Sequence, residues 1–546
     1  MRRVLAFMMI VMLLLVMSVS TTFAAGKKNI LKIGWIEAPQ AGMNPFLLRN
    51  HGDYIFTCLM YEPLAIPLLD GTFRPWLARS WTYDADSKTW TFNLRENVTW
   101  SDGEPFTADD VKFTFDTAYE TNVAIGSRTK AIVKSVEVAD RYTVKFVLRD
   151  PMAAFVSAIS ATPIMPKHIW SKVGNVTQYQ NPHPVSTGPF VYKEFKPRMF
   201  LHMVKNNKYW NGPVNIDEVL IRIYSNPQAM VVALKKGELG IIPSLTGSEK
   251  LIPVLKKDKN VEVIVGRSSH IQYIALNYRV DVFKNKRFRK AIDYAVDRRK
   301  IVESAAAGFA ELPLMGYVAP MVTKWANPKV TWAGLNMTEQ ERLAKANAIL
   351  DELGWKRGKD GIRVTKEGKK LEFSIRCYTN PVYIRSAEII KSNLEKIGVK
   401  LNVMVSDPQT LYAGIIFSGK RPHDWEMLVH GSEMDPDPDH FAREYAPEPP
   451  NPWDNAPAFG WENEEIQSLL KKSRREMNEA RRIEMIKKAQ ELFADELVVI
   501  SLSHRYSSCA YRKDRYTGWK LEPVFYGTVL NPLGSLINVL SLKPID

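Results

Sequence analysis

Residues 100–111 read WSDGEPFTADDV, and this stretch decides how the surrounding chain folds. It follows residues 89–94, where large apolar and polar side chains alternate as in a half-buried strand. The Ser-Asp-Gly at residues 101–103 has turn chemistry, because Asp bonds its own backbone and Gly accepts a positive φ. Thr107 is a candidate N-cap, with Asp110 in the capping-box position three residues later. The stretch predicts a strand, a turn and a helix, and it carries no catalytic chemistry.

The composition indicates an ordinary globular protein with more than one domain. Its 546 residues are enough for two or three domains, each with its own core. A net charge of +15 favours anionic partners. The lysine and arginine residues are scattered, however, and no nucleic-acid motif accompanies them. We therefore expect no nucleic-acid partner.

The first residues predict a secretion signal over residues 1–25. Arg2 and Arg3 form a positive start, residues 4–16 are almost wholly apolar, and Thr22 and Ala24 supply small side chains three residues and one residue before the expected cleavage point. The alternative is an uncleaved membrane anchor, but the apolar run is short of the roughly 20 residues that a spanning helix needs. No cysteine lies near the end of the signal, so a lipoprotein is not expected. We expect a periplasmic or cell-surface protein.

The residues that usually carry metal or catalytic chemistry are not arranged for it. Cys58, Cys377 and Cys509 are scattered, so we expect buried thiols or at most one disulfide. Three aspartates alternate within residues 435–439 like the start of a calcium loop, but prolines intervene and the required glycine and distal glutamate are missing. Neither G-x-S-x-G nor H-E-x-x-H occurs. We expect no metal, no cofactor and no enzymatic activity.

The distribution of predicted strands and helices along the chain indicates two lobes. Residues 61–185 are rich in short strands, whereas helices and strands alternate from about residue 270 onwards. In the second part, a strand at 371–375, a helix at 385–397 and a strand at 399–405 form a βαβ unit, which predicts parallel strands. We predict an α/β fold in which the chain crosses between lobes near residue 270 and returns near residue 500. A cleft between lobes is a usual place for a small ligand.

Two further helices are predicted in the second part. Residues 287–307 carry apolar side chains at helical spacing and predict one long helix. Thr338 and Glu341 form a capping box, which predicts a helix that ends at Gly354.

Several short motifs, in a fixed order along the chain, resemble those of one protein family. The family is the extracellular solute-binding proteins, family 5, of bacterial and archaeal ABC importers, of the dipeptide- and oligopeptide-binding type. The motifs are PIMPKHIW at 163–170, STGPF at 186–190, YW at 209–210 with IDEV at 216–219, GELG at 237–240, RFRKAIDYAVDR at 287–298 and LEKIGV at 394–399.

The resemblance implies a two-lobed periplasmic-binding-protein fold of the large cluster C type, with a hinge and an extra subdomain inserted in the first lobe. It further implies capture of an extended solute in the interlobe cleft, delivery to the transmembrane permease subunits of an ABC importer, and a monomeric receptor. Lobe I would comprise residues 27–60, 185–268 and 503–546, the inserted subdomain 61–184, and lobe II 269–502.

The resemblance also implies where a peptide would be read. In peptide-binding relatives, an Asp that pairs with the peptide ammonium lies just before a DPD-x-F-like run, and a Trp stands three residues earlier. The matching positions here are Met434 and Gly431. Glu433 and Asp435 are neighbours that offer a carboxylate, but a neighbouring backbone position points elsewhere. A buried ammonium without a charged partner is costly, so this departure leaves the ligand class open.

The alternative ligand is an oligosaccharide, for which tryptophan faces would be needed. Trp425 is one candidate among 14 tryptophans, although its alternating surroundings favour the core. Arg385, which the sequence places at the start of a helix, is a candidate clamp for a peptide carboxylate, the alternative being a solvated side chain. The candidate ligand-binding residues are thus Glu433, Met434, Asp435, Arg385, Trp425 and Gly431. The expected solute is a di- or oligopeptide, with an oligosaccharide as the alternative.

Overall fold

The computed structural model describes residues 28–36, 38–39, 42–48, 51–68, 71–121, 123, 126, 129–160, 162–245, 247–407, 410–411, 425–448, 454–520 and 539–545. The predicted secretion signal at residues 1–25 lies outside these ranges. Within them, no helix is both long enough and apolar enough to cross a membrane.

The strands are β1 (Ile30–Trp35), β2 (Ala65–Pro67), β3 (Phe73–Pro75), β4 (Ala78–Asp84), β5 (Thr89–Leu94), β6 (Val133–Asp140), β7 (Thr143–Leu148), β8 (Phe190–Lys196), β9 (Phe200–Lys205), β10 (Glu218–Ile223), β11 (Ile241–Ile242), β12 (Val261–Leu276), β13 (Ala310–Glu311), β14 (Lys356–Arg357), β15 (Arg363–Val364), β16 (Glu372–Tyr378), β17 (Lys400–Ser406), β18 (Met427–Glu433), β19 (Val499–Arg512), β20 (Tyr516–Thr517) and β21 (Lys543–Pro544).

The α-helices are α1 (His51–Thr57), α2 (Ala108–Thr121), α3 (Phe155–Ser160), α4 (Lys167–Trp170), α5 (Pro227–Lys235), α6 (Ile252–Lys256), α7 (Lys286–Ala295), α8 (Arg298–Lys300), α9 (Glu339–Glu352), α10 (Pro381–Glu395), α11 (Asp439–Tyr445), α12 (Asn455–Phe459), α13 (Glu464–Arg475) and α14 (Glu479–Glu496). Short 3₁₀ turns cover Pro45–Leu47, Glu249–Leu251 and Asp281–Lys284, and a π-helical turn covers Ile301–Ala305.

One mixed sheet runs through the whole molecule. Its strands lie in the order β17, β16, β18, β12, β19, β11, β1, β10, β9, β8, with β13 paired on β19. β12 and β19 are unusually long, at 16 and 14 residues, and they lie at the centre. A separate antiparallel sheet of β4, β5, β7 and β6 belongs to the strand-rich segment.

Two large apolar cores lie at the two ends of this sheet. The first is built from described residues between 31 and 221 together with Ile241, Tyr511, Tyr516, Val539 and Leu542, and the second from described residues between 271 and 502. We call the parts of the chain around them lobe I and lobe II. The chain passes between the cores in β12 and returns in β19.

The ladder between β12 and β19 is interrupted at the level where the lobes meet. Residues 261–267 of β12 pair with 506–512 of β19, residues 271–275 pair with 499–504, and the register shifts between Arg267 and Ile271. A bulge of this kind bends the strands locally. The two strands are therefore continuous across both lobes and bend at one shared level, which is the geometry of a hinge.

The βαβ unit of lobe II is confirmed. β16 and β17 pair in parallel from Glu372 with Lys400 to Tyr378 with Ser406, and α10 connects them. The capping box is also confirmed, because the Thr338 side chain accepts from the Glu341 backbone and the Glu341 side chain accepts from the Thr338 backbone.

The prediction of one long helix over residues 287–307 was wrong. α7 ends at Ala295, and Val296 is extended with φ −67° and ψ 122°. Asp297 then caps the next turn through Lys300 N, and its own N–H donates to Asn393 Oδ1 of α10 at 2.9 Å. Because α10 provides this acceptor, the backbone leaves the helix without an unpaired N–H.

The stretch 100–111 is held by the carboxylate of Asp110. Asp110 accepts from Thr107 N at 2.9 Å, in the capping position that the sequence predicts, and also from Lys167 N at 2.8 Å and Trp100 Nε1 at 3.4 Å. Burial raises the pKa of Asp110. One side chain thus joins the stretch 100–111 to the motif at 163–170.

We expect Asp110→Ala to lower the free energy of unfolding by about 2–4 kcal/mol, since it leaves two partly buried backbone N–H groups and a buried indole N–H without their acceptor. Asp109→Ala is the matched control, because Asp109 forms only an exposed ion pair with Lys167 Nζ. Its loss is expected to cost less than about 1 kcal/mol. Urea denaturation of both variants measures the difference, and equal losses would refute the role of Asp110.

A second buried carboxylate, Glu62, joins the strand-rich segment to the rest of lobe I. It is fully buried and accepts from Trp76 Nε1 at 2.7 Å, Tyr209 Oη at 2.7 Å and Trp210 Nε1 at 2.9 Å. The removal of this carboxylate from water outweighs its hydrogen bonds and raises its pKa to about 7.

The raised pKa of Glu62 makes stability depend on pH. The folded state binds this proton more tightly than the unfolded chain, so the contribution of Glu62 to stability falls as pH rises from about 4.5 to about 7 and is constant above that. The loss over this window is roughly 3 kcal/mol. Urea denaturation at pH 5 to 8 should show a smaller change with pH for Glu62→Gln than for the natural chain, even though the variant is less stable throughout. Parallel profiles for the two proteins would contradict the assignment.

Candidate functional site

The cleft between the lobes is closed at its outer rim. Ala153 N of lobe I donates to Arg474 O of lobe II at 2.9 Å. A Cβ built on Gly71 of lobe I would lie 3.4 Å from Trp325 Nε1 and 3.7 Å from Pro436 O. These contacts join segments that belong to the two separate cores, and we call them the rim contacts.

At the hinge, a tyrosine from α10 meets a histidine from β12. Tyr383 Oη lies 2.9 Å from His270 Nε2, and burial raises the pKa of the Tyr383 hydroxyl. Next to them, Arg505 of β19 forms a buried ion pair with Glu249 of lobe I. Residues of both lobes therefore meet through polar groups at the level where β12 and β19 bend.

Gly431 lies directly against this tyrosine and histidine. A Cβ at Gly431 would be 2.1 Å from Tyr383 Oη and 2.6 Å from His270 Nε2. The position where the family resemblance expects a tryptophan has no room for a methyl group in this chain, because Tyr383 and His270 already fill the space. Glu433 is two residues further along β18 and so shares the strand face of Gly431.

Met434 and Trp425 are placed in the core of lobe II. Met434 is 1% exposed, and its backbone N donates to Ser269 O at 3.1 Å. Trp425 is buried and packs edge-on against Phe459 at 5.6 Å between ring centroids. Both side chains belong to the apolar cluster of that lobe. They are thus packed away from the surface that a ligand would reach in this conformation.

Asp435 belongs to a loop of alternating aspartates that is matched by arginines. Asp437 receives two hydrogen bonds of 2.6 Å from Arg482, Asp439 accepts from Arg474 Nε at 2.7 Å, and Asp435 lies 3.4 Å from Arg443 Nη1. In the described parts of the chain, no three His, Cys, Asp or Glu side chains are grouped to hold a metal ion.

Arg385 is not at a helix start. α10 begins at Pro381, and Asn380 is its N-cap through a bond from Val382 N. Arg385 is therefore in the second turn, on the exposed face of the helix, with Tyr383 on the buried side. The prediction that Arg385 opens the helix was wrong because the proline occupies the first helical position, which suits its fixed φ.

The candidate residues predicted from the sequence do not include two further acidic residues of this region. Asp454 is 7% exposed and immediately precedes α12, but its side chain makes no capping hydrogen bond. Glu444 Oε2 accepts from Asn455 N at 3.3 Å. Burial and the charge of Glu444 raise the pKa of Asp454 to about 7. An Asp before a short helix ordinarily predicts an N-cap, so the sequence carried no signal of this burial.

Beneath this acidic region lies a network of buried hydroxyl groups. Asn455 Nδ2 donates to Tyr317 Oη at 2.9 Å and to Tyr273 Oη at 3.2 Å, and Tyr317 Oη donates to Ser432 Oγ at 3.1 Å. Tyr317 is held at φ +59°, a backbone conformation that is uncommon outside glycine. The network joins β12, β18 and α12 inside lobe II.

The chain belongs to the bacterial extracellular solute-binding proteins, family 5, whose family model matches residues 72–452. This is the family that the sequence motifs resemble, and its members are solute-binding proteins of transport. The strands that cross at the hinge and the cleft between two cores are thus those of a two-lobed binding protein.

Three proteins illustrate the similarity. A Brucella ovis protein assigned as an ABC transporter peptide-binding protein is 26% identical over 407 residues, which are 73% of this chain and 72% of that protein. The nickel-binding periplasmic protein of Escherichia coli is 27% identical over 398 residues, covering 69% of this chain and 71% of its own length. The structure of the oligopeptide-binding protein AppA from Bacillus subtilis with a nonapeptide has a TM-score of 0.74 at 21% identity, covering 95% of this chain and 100% of that one.

Proposed function

We propose that this chain is the substrate-binding subunit of an ABC importer and that its solute is a di- or oligopeptide. The observation that carries the proposal is the pair of long strands, β12 and β19, that bend together between two cores of a family 5 solute-binding protein. The peptide is supported by the Brucella ovis relative and by the Bacillus subtilis oligopeptide-binding protein.

The mechanism follows from the hinge. With the lobes apart, a solute reaches the cleft; when β12 and β19 bend, the rim contacts at Ala153 with Arg474 and at Gly71 with Trp325 form. The solute shifts the population toward this closed form only by as much as it binds that form more tightly. The closed form then docks on the transmembrane permease subunits, which release the solute across the membrane.

The oligosaccharide alternative gains no support from the relatives described above. The nickel-binding relative makes a metal ion a second alternative for the solute, but the described residues contain no cluster of side chains that could bind it. The cleft is therefore proposed to bind the backbone and the termini of a peptide. Glu433, Asp435 and Gly431 are proposed to lie beside the bound peptide. Met434, Trp425 and Arg385 are proposed as supporting positions.

The remaining features of the proposal concern location and assembly. We propose that the secretion signal at residues 1–25 is removed, that the receptor works outside the cytoplasmic membrane without a lipid anchor, and that it acts as a monomer without enzymatic activity. The location is supported by the family, which is one of extracellular solute-binding proteins.

Mass spectrometry of the small molecules that leave the purified chain on denaturation tests the solute class. We expect peptide masses, and thermal-shift titration with the same synthetic peptides should raise the melting temperature. Masses spaced by hexose or pentose units, with no response to peptides, would overturn the peptide assignment. Nickel found in equal amount to the protein would overturn it as well.

A further inference from the structure

The outer side of lobe I is formed by two short helices, α5 and α6, with a small core of their own. They pack through buried residues such as Met230 and Ile252 on the sheet face that carries Ala510. The neighbouring residue of β19, Tyr511, belongs to the large core of lobe I. Because successive side chains of a strand point to opposite faces, this large core lies on the other face of the sheet. The outer sides of α5 and α6 therefore face away from it.

The outer side of α5 carries an exposed valine and two exposed lysines. Val232 is 51% exposed. Lys235 and Lys236 follow three and four residues later, so all three side chains lie on one side of the helix. An exposed apolar side chain is thus flanked by two positive charges.

The helix α6 has a similar arrangement. Val254 is 43% exposed and is followed by Lys256, Lys257 and Lys259, which are all exposed. The ammonium groups of these three lysines, and of the two lysines of α5, form no ion pair with any residue that the structure describes. Their charge is therefore available to a partner outside the chain.

The end of β19 joins the lysines of the two helices into one surface. Arg512 Nη1 donates to Lys235 O at the end of α5 at 2.9 Å. The next residue, Lys513, donates its backbone N–H to Asn260 O at 3.0 Å, directly after Lys259. We call the surface formed by the five lysines and the two valines of α5 and α6 the basic face.

The carboxylates around the basic face do not cancel its charge. Residues 235–260 contain six lysines and three carboxylates, and one of the three, Glu249, is buried in the ion pair with Arg505. Two flanking carboxylates have partners of their own at the end of β19, which are Lys513 for Glu262 and Arg512 for Asp514. An excess of positive charge therefore remains on this side of lobe I.

Exposed lysines beside exposed valines match the chemistry of an anionic membrane surface. Each lysine close to such a surface strengthens binding roughly fivefold, and the attraction extends over about a Debye length. Apolar side chains beside the lysines can enter the boundary between headgroups and acyl chains. An acidic protein or a free anion would match the charges but would leave the two valines without a role.

We propose that the basic face of lobe I docks on the anionic phospholipid headgroups of a membrane surface. The rim contacts of lobe I, at Ala153 and Gly71, belong to segments that pack in the large core on the other face of the sheet. Docking therefore leaves the lobes free to close. It holds a receptor without a lipid anchor close to its permease, where confinement raises the effective concentration, and it is independent of the solute.

Flotation with lipid vesicles tests the proposal. The purified chain without residues 1–25 is mixed with vesicles of phosphatidylcholine alone or with roughly a third of phosphatidylglycerol, at low and at high salt. At low salt we expect at least about tenfold more chain to float with the anionic vesicles than with the neutral ones. The difference should shrink at high salt, because salt screens the lysines.

A fourfold substitution removes most of the charge of the basic face. Lys235→Gln, Lys236→Gln, Lys256→Gln and Lys257→Gln together should weaken binding to the anionic vesicles at least about tenfold at low salt. All four side chains are exposed, so the melting temperature should match that of the natural chain.

The matched control removes the same charge from lobe II. Lys356→Gln, Lys359→Gln, Lys366→Gln and Lys369→Gln replace four lysines that are also exposed. Because they lie outside the basic face, their loss should weaken binding less than about twofold.

A second variant tests the apolar part of the basic face. Val232→Ser with Val254→Ser should weaken binding to anionic vesicles about threefold, and the relative effect should be larger at high salt, where the apolar contact persists. An unchanged affinity at both salt concentrations would contradict insertion of the valines into the membrane boundary.

The outcomes separate lipid docking from its alternatives. The proposal is overturned if the natural chain floats equally with neutral and anionic vesicles, if it floats with neither, or if the control on lobe II loses as much binding as the variant of the basic face. Immobilised polyglutamate is the probe for an acidic protein surface. Strong retention on it, without flotation on anionic vesicles, would assign the basic face to an acidic protein and overturn lipid docking. Peptide binding is measured separately by thermal shift, so failure of the proposed function would leave this result standing.

Discussion

Gly188→Ala is expected to prevent stable folding or to lower the free energy of unfolding by more than about 3 kcal/mol, because overpacking against rigid atoms exceeds the usual cost. Gly188 belongs to the TGPF motif, and its N–H donates to Met60 O at 2.7 Å. A Cβ there would lie 2.4 Å from Met60 O and 2.6 Å from Leu59 O. Both are backbone atoms, which cannot swing aside as the end of a flexible side chain does.

Gly174→Ala is the control for this prediction. Nothing lies within 4 Å of a Cβ at Gly174, and its φ is not in the positive region. Alanine at such a site restricts the unfolded chain and should stabilise slightly, by up to about 1 kcal/mol. Circular dichroism with urea denaturation compares the variants, and a Gly188→Ala protein of natural stability would show that the close approach is not real.

The second large effect is expected at the ion pair of Asp437 with Arg482. Arg482→Met should cost about 3–5 kcal/mol, because it leaves Asp437 buried without its partner. The pair has two hydrogen bonds of 2.6 Å, and Arg482 Nε also donates to Ser473 O at 3.0 Å. The guanidinium lies 5.0 Å from the centre of the Trp325 ring, so the substitution also removes a stacking contact.

Arg481→Met is a matched control one residue away, since Arg481 is exposed and pairs with Glu476 at the surface. Its effect should stay below about 1 kcal/mol. A double-mutant cycle with Asp437→Asn tests the coupling, which we expect to exceed about 1 kcal/mol. If Arg482→Met and Arg481→Met have equal effects, or if the cycle shows additivity, the bidentate pair does not stabilise lobe II as inferred.

Local patterns predicted the elements of lobe II whose stabilising contacts lie within the element or its neighbour. The parallel pair β16 and β17 follows from strand, helix and strand in succession, and the helix α9 follows from a capping box that spans four residues. The long helix over 287–307 fails for the opposite reason. What ends it is an acceptor on Asn393, almost a hundred residues away, and no periodicity within the helix contains that information.

The candidate site shows the same limit. The motif comparison located Gly431 and Met434 as departures, but the reason for Gly431 is the space taken by Tyr383 and His270, which come from two other elements. Asp454 has the pattern of an ordinary N-cap, and its burial beside Glu444 depends on how α11, α12 and α13 pack. Burial is a property of the packed structure, so the linear sequence does not reveal that this carboxylate is enclosed.

The shared strands also have a consequence for the order in which the chain can fold during synthesis. Val261 of β12 pairs with Arg512 of β19, and Ile241 of β11 pairs with Tyr511, so lobe I receives a central strand from the last part of the chain to be made. Closing so long a loop adds little to the free energy but slows the search for the native pairing. The amino-terminal half therefore emerges first yet waits for the carboxyl-terminal strand, and a ribosome-bound chain that stops before residue 499 would hold two unfinished sheets instead of one folded lobe.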